Sequence, residues 1–409
     1  MATTTQAPAI DTEARTTHHR WLAELTSIPT VAGREGRVVR WIRDWVEQRP
    51  ELKVSADEHG NLTIRRIEPF APGDPIYITA HLDHPGFAVE SIEGERELVL
   101  AFRGGVMEDY FKDGRVNVHP AEGEARPATI VERIEPAEGE EELFKRYRVR
   151  LDEGHTTEGL TIEDIATWLL PDAFVAEGIL NAPACDDLAA AAAALAALDE
   201  LLKLKASGEP VGRDARVFFT RAEEIGFVGA IGACRSKSIP EESPVIALEN
   251  SRAFDDSPIG GGPIVRVGDR LTVFTPRLTA AVAARAEAVA GGPATPTAAQ
   301  KQSEMPRWRW QRKLMAGGAC ESTVFCAAGY EATCVCLPLG NYHNMADLAA
   351  VQAGTNTVAP AVGSEQIALA DFDGLVDLLV ACGQELTPGG GIEQRLQKIW
   401  DDRGFVLDE

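Results

Sequence analysis

No run of the 409 residues reaches the ~18 consecutive apolar residues that a membrane-spanning helix requires. The opening stretch Met1–Thr17 also lacks the basic-then-apolar pattern of a secretory signal. Both absences point to the cytoplasm. Cysteine is sparse and unpaired in pattern: the seven residues at 185, 234, 320, 326, 334, 336 and 382 are odd in number and form no C-x-x-C. That excludes a disulfide framework and a thiolate zinc site, so reduced thiols, mostly in the core, are expected. Basic residues are the minority, 40 Lys+Arg against 63 Asp+Glu for a net charge of −23. Such a surface repels phosphate backbones and anionic lipid, which argues against nucleic-acid and membrane partners. No 20–50-residue period recurs and the 37 glycines keep no three-residue spacing, so solenoids and collagen are excluded as well.

What is present is apolar material for a large core, 44% of the chain, in a length that suggests one large domain plus a smaller one. After a mobile leader over 1–17, helices are predicted over Thr16–Leu25 and Arg37–Glu47, the latter with Val38, Val39, Ile42, Trp45 and Val46 in helical register. Strand-like runs follow at Leu62–Ile67 and Pro75–Ala80, the second ending directly at His81-Leu82-Asp83-His84. From residue 87 to 177 the texture changes to short strands, Ser91–Phe102, Arg115–His119, Pro127–Ile134 and Arg146–Leu151, with a helix only at Ile162–Leu170. This reads as a β-rich insertion. Beyond it, an Ala/Leu helix over Asp187–Ala206, the compact strands Arg216–Thr220, Pro244–Leu248 and Thr333–Leu337, and several helical patterns return. The fold class is therefore α/β, a mostly parallel sheet flanked by helices over 18–86 and 178–409, interrupted by the β-rich domain.

Metal-capable side chains lie just past these strands or at a helix start: His81 and Asp83, Asp186 and Asp187, Glu223 and Glu224, Glu249, and His343. In open α/β sheets ligands gather beyond the carboxyl ends of strands, so five segments deliver acids and imidazoles to one edge. Carboxylates crowded together repel and must protonate unless cations neutralise them. Two divalent ions would do so, and imidazole with carboxylate favours zinc, with cobalt or manganese as alternatives. Taken singly, each motif has a plainer reading: loop histidines, a solvated Glu223-Glu224 pair, or Asp186-Asp187 as helix caps. Trp308-Arg309-Trp310 with its basic neighbours suggests base stacking, yet in so acidic a chain a packed or substrate-facing loop is the better expectation. Gly260-Gly261-Gly262 lacks the spacing of a nucleotide fingerprint, and Cys185 and Cys320 lack the histidine base of a thiol mechanism.

Five segments in order, H-L-D-H-P-G-F at 81–87, C-D-D at 185–187, A-E-E-I-G-F-V-G-A at 222–230, the strand-end acid at 249 and Y-H-N at 342–344, resemble the dinuclear aminopeptidases of the M42 type. These are the glutamyl/leucyl aminopeptidase group, related to the M20 and M28 peptidases. The insertion lies between Asp83 and Asp186, as in M42, and not after the strand-end acid, as in M20. The resemblance implies a zinc-exopeptidase-like fold and an aminopeptidase that cleaves N-terminal residues from peptides with a hydroxide bridging two metals. It implies that His81, Asp186 and Glu249 hold one ion and Asp186, Glu224 and His343 the other, with Asp83 orienting His81 and Glu223 as general base. A cis Asp186–Asp187 peptide and a symmetric homo-oligomer, from dimer to dodecamer, are implied too. Three places depart from the M42 pattern: Glu249 replaces an Asp, His84 a Glu, and Gly317–Glu321 a Gly-Gly-Thr-Asp-Ala segment, the last two expected on the substrate side. An M20-like deacylase or carboxypeptidase acting on acylated amino acids, and a silent scaffold of the same fold, stay open as alternatives.

Overall fold

The computed structural model describes residues 10–139, 141–294, 308–387 and 391–408. Its larger unit is built on an eight-stranded sheet. Four central strands run parallel: Ala215–Thr220, Ile76–His81, Val245–Arg252 and Ala332–Leu339. The hairpin Leu52–Ala56 and Leu62–Arg66 extends one edge antiparallel, while Ile264–Asp269 and Gln311–Met315 form the other edge. Ile76–His81 and Ala332–Leu339 are buried at every position, as expected for strands covered on both faces.

One face is covered by helices Thr12–Thr26, Leu188–Ser207, Pro276–Ala290 and Leu369–Gln384. The first eleven residues of Leu188–Ser207 are apolar all round because they are enclosed all round; the alanines from 189 to 194 are fully buried. The helix stops at Gly208, whose φ of 81° supplies the left-handed cap that a side chain resists. The opposite face packs Val228–Ser236 and Glu321–Ala327, the latter through Phe325, over Tyr77 and Phe218.

The stretch after His81 forms a closed six-stranded barrel: Gly86–Ile92, Glu97–Arg103, Arg115–His119, Arg126–Ile134, Lys145–Leu151 and Ile165–Trp168. Phe87, Phe102, Phe111, Tyr147 and Trp168 fill it, with Phe111 stacked on Tyr147 at 4.4 Å. The last strand replaces the helix expected over 162–170. Its residues pair with both Gly86–Ile92 and Arg115–His119 and close the barrel, and Ala166 and Trp168 join its core. Phe174–Ala176 pairs instead with Ile179–Ala182, which carries Glu365–Ala368 on its other side.

Other expectations shift in detail. The first helix starts at Thr12, inside the stretch expected to be a mobile leader, because Asp11 caps Ala14 N–H at 2.8 Å and Arg15 pairs with Asp373 and Asp377. Residues 1–9 lie outside the described residues, as does Arg307 of the basic-aromatic stretch. Trp310 is buried and donates to the Gly292 carbonyl at 3.0 Å, so this loop packs. His119, expected on the surface, is half-buried against Thr167 at 2.8 Å. All seven cysteines are free. Among the described residues no helix is long and apolar enough to cross a membrane.

Candidate metal centre

Strand register brings the ligand-type residues level. His81 closes its strand opposite Thr220, and the Ala247–Thr79 pairing of the next strand sets Glu249 at the height of His81. That strand continues to Arg252, so Glu249 lies within it and not at its end. Asp186 precedes the Ala-rich helix across a cis Asp186–Asp187 peptide bond. Both carboxylate oxygens of Asp187 are buried without a hydrogen-bond partner, so this residue makes no side-chain helix cap. His343 sits in the turn Tyr342–Asn344 that follows Ala332–Leu339.

These residues converge. His81, Asp186 and Glu249 offer ligand atoms within 4.8 Å of one another, and so do Asp186, Glu224 and His343. Asp186 belongs to both sets, and its two oxygens divide between them: Oδ1 lies 3.4 Å from His81 Nε2 and Oδ2 3.5 Å from His343 Nε2. Glu224 Oε2 is 3.3 Å from His343 Nε2, and Glu249 Oε1 and Glu223 Oε2 are 4.0 and 3.9 Å from His81 Nε2. Both imidazoles turn Nε2 inward and anchor Nδ1 on a carbonyl, His81 on Asp83 at 3.1 Å and His343 on Gly105 at 2.6 Å. A ring fixed in this way presents its other nitrogen as a ligand. The Asp83 carboxylate stands 3.6 Å from His81 Nδ1, but its bonds go elsewhere, accepting the main-chain N–H of Glu223 at 2.9 Å and of Glu224 at 3.0 Å.

Three further residues shape the site without belonging to any motif. Glu365, fully buried, accepts the N–H groups of Cys185, Asp186 and His343 at 2.7, 2.9 and 2.8 Å. Glu35, also buried, accepts Ala222 N–H at 3.0 Å and pairs with Arg221 at 2.7 Å, securing a turn in which Ala222 and Phe227 take positive φ. Gly105 comes from the loop after a barrel strand. An acid within S-E-Q-I-A (Glu365) or V-A-G-R-E (Glu35) carries no spacing that marks it; its only signal is charge beside apolar neighbours. His84 is not on the substrate side: it is buried behind the centre, its Nδ1 2.6 Å from the Asp186 carbonyl and its Nε2 3.0 Å from Asn344 Oδ1. Burial, the largest influence, pushes its pKa down to about 4.

The electrostatics are those of a cation site. Burial first, then repulsion among neighbouring carboxylates, pushes Glu223, Glu224 and Glu249 well above the usual carboxylate range. Burial pushes Glu321 up to about 7 as well. Burial opposes ionisation of Asp186 too, but the His343 and His81 imidazoles outweigh it and hold Asp186 well below the usual range. His81 is raised despite its burial, by Glu223, Asp186 and Asp83. Among the described residues no Lys or Arg pairs with Asp186, Glu223, Glu224 or Glu249, and Asp186 Oδ1 and Glu224 Oε1 are buried with no hydrogen-bond partner. Orphaned carboxylate oxygens, two inward imidazoles and no thiolate fit a pair of divalent ions. His81, Glu223 and Glu224 form a further set at the same centre, whereas a cluster away from it, His18, Asp199 and Glu200, differs: Arg49 and Lys203 already neutralise its acids at 2.9 and 2.7 Å.

The centre opens into a cavity of about 200 Å³ lined by Glu223, Glu224, Phe227 and Tyr342 among others. Glu249, Ala319 and Tyr342 are shared with a second cavity of about 420 Å³, walled by Phe254, Met315, Met345 and Leu348 and carrying Arg252 and Arg266. Gly317 and Gly318 line it as well.

A family model described as M42 glutamyl aminopeptidase matches residues 60–290. Among solved structures, an aminopeptidase from the archaeon Desulfurococcus kamchatkensis superposes with a TM-score of 0.69 at 20% identity, covering 93% of this chain and 98% of that one. The TET1 peptidase of Pyrococcus horikoshii, which can assemble into a tetrahedron or a large octahedral shell, gives 0.67 at 20% identity over 90% of this chain and 100% of its own. A TET aminopeptidase from a marine sediment Thaumarchaeota archaeon gives 0.66 at 20% identity over 91% and 97%.

Proposed function

Because the chain belongs to the M42 glutamyl aminopeptidase family of metallopeptidases, we propose that it removes N-terminal residues from peptides at a centre for two divalent ions. One observation carries this reading: the two oxygens of Asp186 face two different inward-turned imidazoles. His81, Asp186 and Glu249 would hold one ion and Asp186, Glu224 and His343 the other, with zinc the leading metal and cobalt or manganese the alternatives. Bound there, such ions supply Lewis acidity toward the scissile carbonyl and a water acidified to near neutral pH.

The protein's own groups do the rest. Glu223 borders the open cavity and, although it also stands within ligand distance of His81 and Glu224, it is the acid left over once the two sets that share Asp186 are filled; it is the base that takes the proton of the attacking water and returns it to the leaving amine. Asp83 fixes the main chain of Glu223 and Glu224 through two N–H bonds and thereby aims one side chain at water and the other at metal. Carboxylates flanking the centre receive the free amine of the substrate.

The first residue of the substrate is read from the larger cavity. Arg266 is 2% exposed there, is directed to Ser251 Oγ at 3.0 Å, and has no carboxylate ion pair among the described residues. Burial opposes this charge, Glu249 favours it only from beyond ion-pair distance, and a side-chain carboxylate on the substrate would neutralise it directly. Acidic N-terminal residues are therefore the favoured substrates, with Met315, Met345 and Leu348 packing their methylenes.

Residues 87–177 are proposed as an inserted unit, the homo-oligomer as the working form, and the cytoplasm as its location, in keeping with seven free cysteines. Metal analysis combined with a panel of aminoacyl anilides tests the whole reading. Two equivalents of divalent metal per chain with chelator-sensitive hydrolysis are expected, and cleavage of acylated amino acids alone would replace it with a deacylase.

A further inference from the structure

The C-terminal helix Ile392–Arg403 buries none of its side chains. Ile392, Leu396, Ile399 and Trp400 recur at helical spacing on one face and are 47–60% exposed, and the following turn adds Phe405, Val406 and Leu407 at 54–77%. Among the described elements, substantial packing is made only with that turn, Gly404–Asp408. Helices of this length are marginal alone in water and are held by packing of an apolar face. Something must cover this one.

Charge selects the cover. Copies of a chain at −23 repel each other over most of their surface, yet this helix is neutral, with Glu393, Asp401 and Asp402 against Arg395, Lys398 and Arg403. Arg395 and Asp402 stand one heptad apart on the same edge of the apolar stripe, Asp402 lying 3.3 Å from the exposed Lys398 of its own helix, a pair weak enough in water to be shared. When two helices of this sequence lie antiparallel about a twofold axis, that edge meets itself and sets Arg395 of each copy beside Asp402 of the other. A parallel pair places Arg395 near Trp400 and gains no such match. The exposed apolar side chains offer on the order of several hundred Å² per copy, comparable with the about 800 Å² per partner of a standard interface.

We propose that this helix is an assembly arm that pairs antiparallel with the same helix of a second copy of the chain, through Ile392, Leu396, Ile399 and Trp400. None of these residues takes part in the metal centre, so the contact and hydrolysis are separable.

Sedimentation equilibrium of the full chain over a dilution series tests it. The wild type is expected to associate, and Leu396→Glu combined with Trp400→Glu is expected to lower the mass at least twofold at fixed concentration, with kcat/KM on an aminoacyl anilide retained. Arg395→Asp and Asp402→Arg should each weaken association by about fivefold, the scale of two exposed ion pairs turned repulsive, and the double swap should restore it. A wild type that stays monomeric at micromolar concentration overturns the proposal. So does an unchanged mass for the Leu396/Trp400 variant, as expected for a helix folded onto its own chain, or a double swap as weak as the single ones.

Discussion

Glu365 Oε2 accepts the main-chain N–H of Asp186 at 2.9 Å, while its other oxygen accepts that of His343 at 2.8 Å. One buried carboxylate thus holds the backbones of two residues that are distant in the sequence. Glu365→Ala leaves the N–H groups of Cys185, Asp186 and His343 without a partner in a region closed to solvent. Zinc affinity is expected to fall by ~10- to 100-fold, the usual effect of removing a group that orients ligands. A chelator competition titration measures it, and excess zinc should bring back most of the turnover.

Glu223→Gln should behave in the opposite way. The amide keeps the shape and the main-chain bond from Glu223 N–H to Asp83, and the ligand sets around Asp186 are intact, so metal content should equal the wild type. Turnover should fall by about 10² to 10⁴, the range of a lost general base, and added zinc should not restore it. Unchanged turnover at full metal loading removes Glu223 from the proposed chemistry.

Arg266→Met replaces a buried guanidinium with a side chain of similar length in a wall that already contains Met315 and Met345. With the cation gone, kcat/KM for a glutamyl anilide should drop by ~10²-fold or more, because a substrate carboxylate would then be buried unpaired. The leucyl anilide should change little or improve. Equal losses on both substrates would assign Arg266 a structural role in place of a selective one.

The residues that approach the centre are legible in the sequence because each lies in or just past a strand with a strong β signature or opens a strongly helical run: Ile76–His81, Ala215–Thr220, Val245–Arg252, Ala332–Leu339 and the Ala-rich helix. A parallel sheet then places their carboxyl ends on one edge by topology alone. Glu365, Glu35 and Gly105 were not legible, since they act through main-chain groups, and a carboxylate that receives N–H bonds needs no particular neighbours in sequence. Ile162–Leu170 differs from its helical pattern for a related reason. Local pattern could not distinguish a helix from Ile165–Trp168, which is decided by distant pairing with Gly86–Ile92 and Arg115–His119. Analogy with an acid puts His84 on the substrate side, yet its two nitrogens bond to the Asp186 carbonyl and to Asn344.

His119 links acid stability to the seam between barrel and sheet domain. Its ring bonds to Thr167 Oγ1 at 2.8 Å while its carbonyl accepts from Arg37 at 2.9 Å, so Arg37, from the helix Gly36–Glu47, reaches the barrel here. Burial first, and then the Arg37 guanidinium, push the His119 pKa down from 6.5 to about 4. In that interval the unfolded chain binds a proton that the folded chain refuses. The contribution to stability is therefore complete above pH 6.5 and declines as pH falls toward 4. At pH 5 the loss is on the order of 1–2 kcal/mol. His119→Gln cannot be protonated and keeps a donor toward Thr167, so its urea midpoint should fall less between pH 7 and pH 5 than that of the wild type. Every other titrating group is common to both proteins, so the difference between the two declines isolates this ring. Identical declines would mean that the imidazole accepts its proton without cost where it sits.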